Sequence, residues 1–373
     1  MNKNKNRILL RYIFATGLPA LLAALFFLLR GNMPAMTASR SVANYVRFAL
    51  SSATRVAPFS VLEVAAVLLA TLITGLLVKA VTALIRRNPR LALRRAAAAA
   101  AIVLWGISSF LWVWCSGYYA KPVYASGGLT NAPLTVEQLR AAAEIFLAGA
   151  NECAPLVPRD ANGVMTETAA ELIKRAPKAA DYAALRDEFP SLARVGAARV
   201  KPMIISKIMS RTGYTGIYFA LTGEANVNAD IPPLLLPATA AHELAHSFGV
   251  APENQANFFG IVAAVKSGDA TFRYSGYLLG LIELGNALAG VSPDDYFELR
   301  GRYGDLVNAD LQRDAEYWEA VRKSTGNGKL DDAVTAFADA VDKTYDNFLV
   351  SQGQESGLRS YGECVNLLAE YFI

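Results

Sequence analysis

Histidine is almost missing from this sequence: 373 residues contain two, His242 and His246. A metal site built on three imidazoles is therefore excluded, as is a separate histidine acting elsewhere as a proton carrier. Cysteine is scarce too. Cys115, Cys153 and Cys364 show no C-x-x-C spacing, which leaves no thiolate-only zinc site and no dithiol redox motif. Cys115 sits in an apolar run, and pairing of Cys153 with Cys364 depends on the compartment, which spacing alone does not decide. Charge is low: 18% of residues are charged and 53% are hydrophobic. That balance is apolar for a soluble enzyme and points to membrane spans. A formal charge of +4 is too small to argue for nucleic acid as a partner.

What is abundant is apolar sequence in the first third. Three runs, about residues 8–29, 61–85 and 96–118, are each long enough to cross a bilayer, so residues 1–120 read as a membrane domain with three transmembrane helices. Glu63 and Lys79 fall near the ends of the second run, where long side chains can reach the interface. Trp112, Trp114, Tyr118 and Tyr119 crowd the far end of the third, as in an interfacial aromatic belt. Between the second and third runs, RRNPRLALRR carries five arginines. By the positive-inside rule that loop and the basic N-terminus are cytoplasmic, and everything after Tyr119 is extracytoplasmic. The loop at about residues 30–60 carries four more dilute arginines, which weakens the argument without reversing it.

Both histidines lie in PATAAHELAHSFGVAPENQAN, in H-E-x-x-H spacing. On an α-helix, positions i and i+4 share a face, so the imidazoles of His242 and His246 can meet one ion. Glu243 follows the first ligand and can aim at a water on that ion, as the general base of peptide hydrolysis. Pro237 suits the first turn of such a helix and Gly249 its end; Pro252 then starts a second helix. A catalytic zinc ion needs a third protein ligand and one open position. Glu253, in the first turn of the second helix, is the expected third ligand. Asn257, one turn on, is expected to brace a ligand histidine through its other ring nitrogen. This E-x-x-x-N pattern resembles the second helix of glutamate-type zincins, E-x-x-x-D. Gln255 is a weaker candidate, because a neutral amide binds zinc poorly. Glu283, inside GYLLGLIELGNALAG, is the reserve ligand.

Residues 121–134 are rich in Gly, Pro and Asn and read as a linker to an outer domain at 135–373. Thr135 reads as the N-cap of a helix, and further helices are expected from near Thr166 to Pro177 and over ADYAALRDEF. KPMIISKIM and TGIYFALTGEANVNADI are rich in β-formers. The stretch Gly216 to Asn228 is expected to border the cleft as an edge strand, with Glu224 and Asn226 as substrate contacts. After Asn257 the chain reads as helical to its end. An oxyanion donor must be Tyr or Arg, since no third histidine exists; Arg273, Tyr274, Tyr277 and Tyr361 are the candidates.

Several strings together, TGIYFALTGEANVN, PATAAHELAHSFGVAPENQANF, FRYSGYL and QGQESGLRSYGECVNLL, resemble a bacterial family of membrane proteins, the domain-of-unknown-function family DUF3810. The resemblance covers nearly the full chain. It implies a zincin-like fold and a zinc-peptidase site, and it names no substrate. It also implies an acidic residue where this chain has Gln255. The expectation is therefore a mainly α protein, in which three N-terminal transmembrane helices precede a zincin-like α+β metallopeptidase domain with a small sheet. It would lie in the bacterial cell membrane as a multi-pass protein, with one Zn²⁺ on His242, His246 and Glu253 and a zinc-bound water attacking a peptide or protein substrate. Glu243, Tyr361 and Tyr274 would be catalytic, and Glu224, Asn226 and Arg273 would bind substrate. The alternative is a weak or inactive zincin-like membrane protein that binds a peptide or cell-envelope partner.

Overall fold

The computed structural model describes residues 13–193, 199–324, 329–352 and 364–373. Its helices begin with α1 (Leu18–Leu29), α2 (Met33–Thr54), α3 (Val61–Ile85) and α4 (Pro89–Val113). The outer part contains α5 (Val136–Cys153), α6 (Ala169–Ala179), α7 (Tyr182–Glu188), β1 (Val200–Pro202), α8 (Ser206–Arg211), β2 (Gly216–Phe219) and β3 (Glu224–Val227). Then come α9 (Leu236–Ser247), α10 (Glu253–Val265), α11 (Ala270–Val291), α12 (Pro293–Arg300), α13 (Asp305–Ser324), α14 (Lys329–Ser351) and α15 (Val365–Phe372). The protein is thus mainly helical with one small mixed sheet, as its sequence suggests.

Two helices, Val61–Ile85 and Pro89–Tyr118, are long and apolar enough to cross a membrane. The described part of the first run, Phe14–Leu29, is shorter than that. Helix α4 begins at Pro89 rather than near Ala96. Asn88 caps it by accepting from the Leu91 N–H at 3.1 Å, and Pro89 fits the first turn, so the arginine-rich stretch is drawn into the helix. Residues 30–60 hold a second surprise: most of them form α2, capped by Asn32. Its arginines are protein contacts. Arg40 donates to the Lys121 carbonyl at 2.7 Å, and the Arg47 guanidinium lies over the Trp114 ring, 5.6 Å from its centroid.

In the outer part, Thr135 and Thr168 each open a helix with a reciprocal capping box, to Gln138 and Glu171. Pro177 lies inside α6 without ending it. KPMIISKIM is not one strand: β1 covers only Val200–Pro202, and α8 follows. The sheet order is β1-β3-β2, with β1 parallel and β2 antiparallel to the central β3. β2 is the edge strand expected beside the cleft. Residues 121–134 are fastened rather than loose. The Val123 N–H donates to the Gln255 side chain at 2.9 Å, and Thr130 and Asn131 donate to Glu370.

The central place of β3 overturns one expectation. Glu224 is 1% exposed and never reaches the cleft. Its carboxylate pairs with Lys201 of β1 and accepts the N–H groups of Val61 and Leu62, at 3.0 and 2.8 Å, in the first turn of α3. A helix N-terminus favours such a negative charge. Lys201 also donates to the Thr54 carbonyl at 2.8 Å, where α2 ends. Asn226 is fully buried and donates to the carbonyls of Ile217 and Glu224. Neither residue is placed to contact a substrate. Glu63 does not reach for lipid headgroups; it accepts the N–H groups of Ile204 and Ile205, at 2.9 and 3.0 Å. One apolar core runs from Phe26 of α1, Met36 of α2 and Leu111 and Trp114 at the end of α4 into α9, α10 and α11, so these N-terminal helices share it with the outer part.

Candidate metal centre

Helices α9 and α10 form a tight antiparallel pair around Gly249, which adopts a φ of +96°. Pro237 lies in the first turn of α9, and Pro252 caps α10. The pair closes fully because α10 has Gly260 where it crosses α9. A Cβ there would stand 2.8 Å from the backbone of His242. This close approach brings the start of α10 level with the histidines.

His242, His246 and Glu253 then converge, all buried. The Nε2 atoms of the two histidines are 3.1 Å apart. Oε2 of Glu253 is 3.2 Å from Nε2 of His242 and 3.4 Å from that of His246. The opposite ring nitrogens are both engaged: Nδ1 of His242 meets Oδ1 of Asn257 at 2.6 Å, and Nδ1 of His246 meets the Val250 carbonyl at 2.7 Å. Both partners are acceptors, so each Nδ1 carries the proton and each Nε2 presents a lone pair. Two lone pairs and a carboxylate oxygen that accepts no hydrogen bond among the described residues thus face one point. Acceptors gather in this way around a cation. A tetrahedral zinc with arms of about 2.0–2.1 Å has ligand–ligand edges of about 3.3–3.4 Å, which this triangle approximates before any ion draws it in. The residues present therefore fit a zinc ion.

Burial opposes the charge of Glu253, but positive charge at His246 and then at His242 would outweigh it and hold its carboxyl well below the usual range. Its other oxygen accepts from the Tyr345 hydroxyl at 2.7 Å. Tyr345 comes from α14, far along the chain, and sequence reasoning missed it. Glu243 behaves in the opposite way. It is 5% exposed, burial pushes its carboxyl up to about 8, and its Oε2 has no hydrogen-bond partner among the described residues. His242 lowers that value somewhat and Glu253 raises it. Its carboxylate lies over Gly216 at the start of β2, where a Cβ would collide with it. Trp114 presents its ring to the edge of the His246 ring, with centroids 5.3 Å apart, and Tyr218 lies on the same imidazole at 5.9 Å.

A cleft of about 460 Å³ opens onto His242 and Glu243. Gly216 and Thr215 form one side, and Glu283, Asp314 and Asp342 stand among its walls, with no lysine or arginine among the described lining residues. Asp342 accepts from the Tyr214 hydroxyl at 2.8 Å. Burial lifts Glu283 to about 7, with His242 pulling the other way, so this reserve ligand is a wall residue rather than a member of the triad. Gln255 is not in the triad either; its amide oxygen holds the Val123 N–H.

Other sequence candidates fall elsewhere. The Tyr274 hydroxyl donates to Asp310 at 2.8 Å, in a buried network with Arg159, and does not line the cleft. Arg273 sits beside Cys153, and Tyr277 packs on Phe146; neither lines the cleft. They point away because α11 turns that face toward α5 and α13. Tyr361 lies outside the described residues. Cys153 and Cys364 are both free and buried, so they do not pair. No curated protein and no solved structure matches the chain. A family model described as a protein of unknown function (DUF3810) matches residues 39–369, from α2 to α15, and the chain belongs to that family.

Proposed function

We propose that this protein is a membrane-anchored zinc metallopeptidase. The observation that carries the reading is the triangle of His242, His246 and Glu253, with the unpartnered carboxylate oxygen of Glu243 beside it. His242, His246 and Glu253 would hold the ion, and Asn257, Val250 and Tyr345 would fix the orientation of those ligands. When bound, zinc supplies a Lewis acid that polarises a carbonyl and makes water acidic near neutral pH. Glu243 takes the proton from the attacking water and returns it to the leaving amine. An extended peptide lies along the edge strand β2, bound through main-chain groups. The acidic cleft wall favours cationic side chains next to the scissile bond.

The start of α3 and the end of α4 both meet the outer part, so the arginines of the turn between them and of the first turns of α4, residues 86–95, lie at the far ends of these two helices. Positive-inside reasoning then makes the loop cytoplasmic and the site extracytoplasmic, with the first apolar run as a third span.

The test uses the full chain in detergent. Wild type should carry one zinc per chain and cleave unstructured protein such as casein. Glu243→Gln should keep the zinc and lose about 10²–10⁴-fold in turnover. Full activity in this variant refutes the assigned base. Zinc without turnover in the wild type makes the protein a metal-dependent binding module. Undiminished zinc in His246→Ala refutes the site itself.

A further inference from the structure

A second cleft, of about 640 Å³, lies where the outer part meets the start of α3. It is lined by Arg55, Pro58, Ile173, Lys174, Arg199 and Pro202, and among the described residues no acidic side chain lines it. Arg55 ends α2, Lys174 comes from α6, and Arg199 precedes β1. The Arg199 guanidinium donates to the Arg55 carbonyl at 3.3 Å, which draws two of the cations together. Among the described residues, no ion pair neutralises any of the three. Three like charges from three separate elements, turned to one concave surface, form a site for an anion.

Its surroundings identify the anion. Pro58 stands just ahead of Val61, where the apolar helix α3 begins. Beside that start, Glu63 holds the backbone of Ile204 and Ile205. The side chains there point outward: Ile204 is 75% exposed and Val56 80%, with Phe59, Ile205 and Ile208 also exposed. A water-soluble surface rarely keeps so many large apolar groups together. They form a rim around the first turn of a membrane-length helix. A cationic cleft behind an apolar rim matches the two parts of a phospholipid, and its charge selects an anionic one.

The geometry points to a lipid site: the rim Val56, Phe59, Ile204, Ile205 and Ile208 enters the leaflet that meets the start of α3, and Arg55, Lys174 and Arg199 bind the phosphate of an anionic phospholipid there. This rests on α3 crossing the bilayer and is independent of any hydrolysis at the zinc site. Cations flanking a span on this face run against the usual charge bias, and a bound lipid phosphate accounts for them.

The full chain in detergent is titrated with short-chain phosphatidylglycerol or phosphatidylcholine, and bound lipid is counted by native mass spectrometry. Phosphatidylglycerol should be retained, and each of Arg55→Gln, Lys174→Gln and Arg199→Gln should weaken it about fivefold. Unchanged melting and zinc content show that the variants fold; Lys174, exposed on α6, carries the test alone if the arginine variants do not. Equal retention of the two lipids, or wild-type retention by Lys174→Gln, overturns the proposal. Complete displacement by millimolar inorganic phosphate also overturns it, since that marks a free-anion pocket. A second arm places an environment-sensitive fluorophore on Ile204→Cys in vesicles containing phosphatidylglycerol. The native cysteines are all buried, so labelling is specific. A blue-shifted, lipid-quenched probe supports the rim, and a water-exposed probe overturns it.

Discussion

Two buried clusters of ionisable groups lie close to the small sheet, and they follow opposite rules. At the joint, Glu224 meets Lys201 and two N–H groups of α3, and Lys201 meets a carbonyl as well. Donors and acceptors are matched there. At the centre, two imidazole lone pairs and the Glu253 carboxylate converge, with Glu243 nearby, and among the described residues no donor matches Oε2 of Glu253 or of Glu243. Both clusters are buried. A balanced cluster holds elements together, whereas an excess of acceptors costs stability unless a ligand supplies the missing charge. Burial of charge alone does not reveal a functional site; the imbalance does.

The sharpest way to break the comparison is to unbalance the joint. Lys201→Met leaves Glu224 buried without its cation and should cost about 3–5 kcal/mol, read as a fall in the denaturant midpoint of the full chain. Little change would mean that the N–H groups of α3 suffice. At the centre, Asn257→Ala should leave the fold intact and weaken zinc binding about 10–100-fold, measured by competition with a chelator. Unaltered affinity would show that Nδ1 of His242 needs no such partner. The smallest effect is expected at Glu283, which among the described residues has no lysine or arginine beside it in the acidic cleft. Its folded-state pKa of about 7 lies above the ordinary 4.5. Its contribution is therefore full at low pH and is lost as pH rises from about 4.5 through 7. In zinc-free protein, Glu283→Gln should melt like wild type near pH 4 and exceed it by about 1–2 kcal/mol at pH 8. A constant difference across that range would show that Glu283 does not titrate there.

How much of this was legible follows from the distances involved. The H-E-x-x-H face is set by the helical period alone, and the punctuation by Pro237, Gly249 and Pro252 places Glu253 and Asn257 one short turn away. Such information is local and survives in sequence. Tyr345 reaches Glu253 from α14 across 92 positions, and no periodicity records that meeting. Glu224 and Asn226 were misread because alternating texture marks a strand without saying whether it is central or an edge. Arg40 and Arg47 were counted as loop charges because their partners, Lys121 and Trp114, are also remote in sequence. Tyr274 and Arg273 lie on an α11 that is apolar almost all round, so the sequence offers no preferred face.

Trp114 belongs to the same continuous apolar stretch as α4, yet its indole forms part of the wall around His246. A shortened version starting after residue 120 would thus lose one side of an imidazole's packing, along with Phe26, Met36 and Leu111 from the shared interior. The smallest piece of this chain that keeps the surroundings of His246 whole therefore includes its long apolar helices.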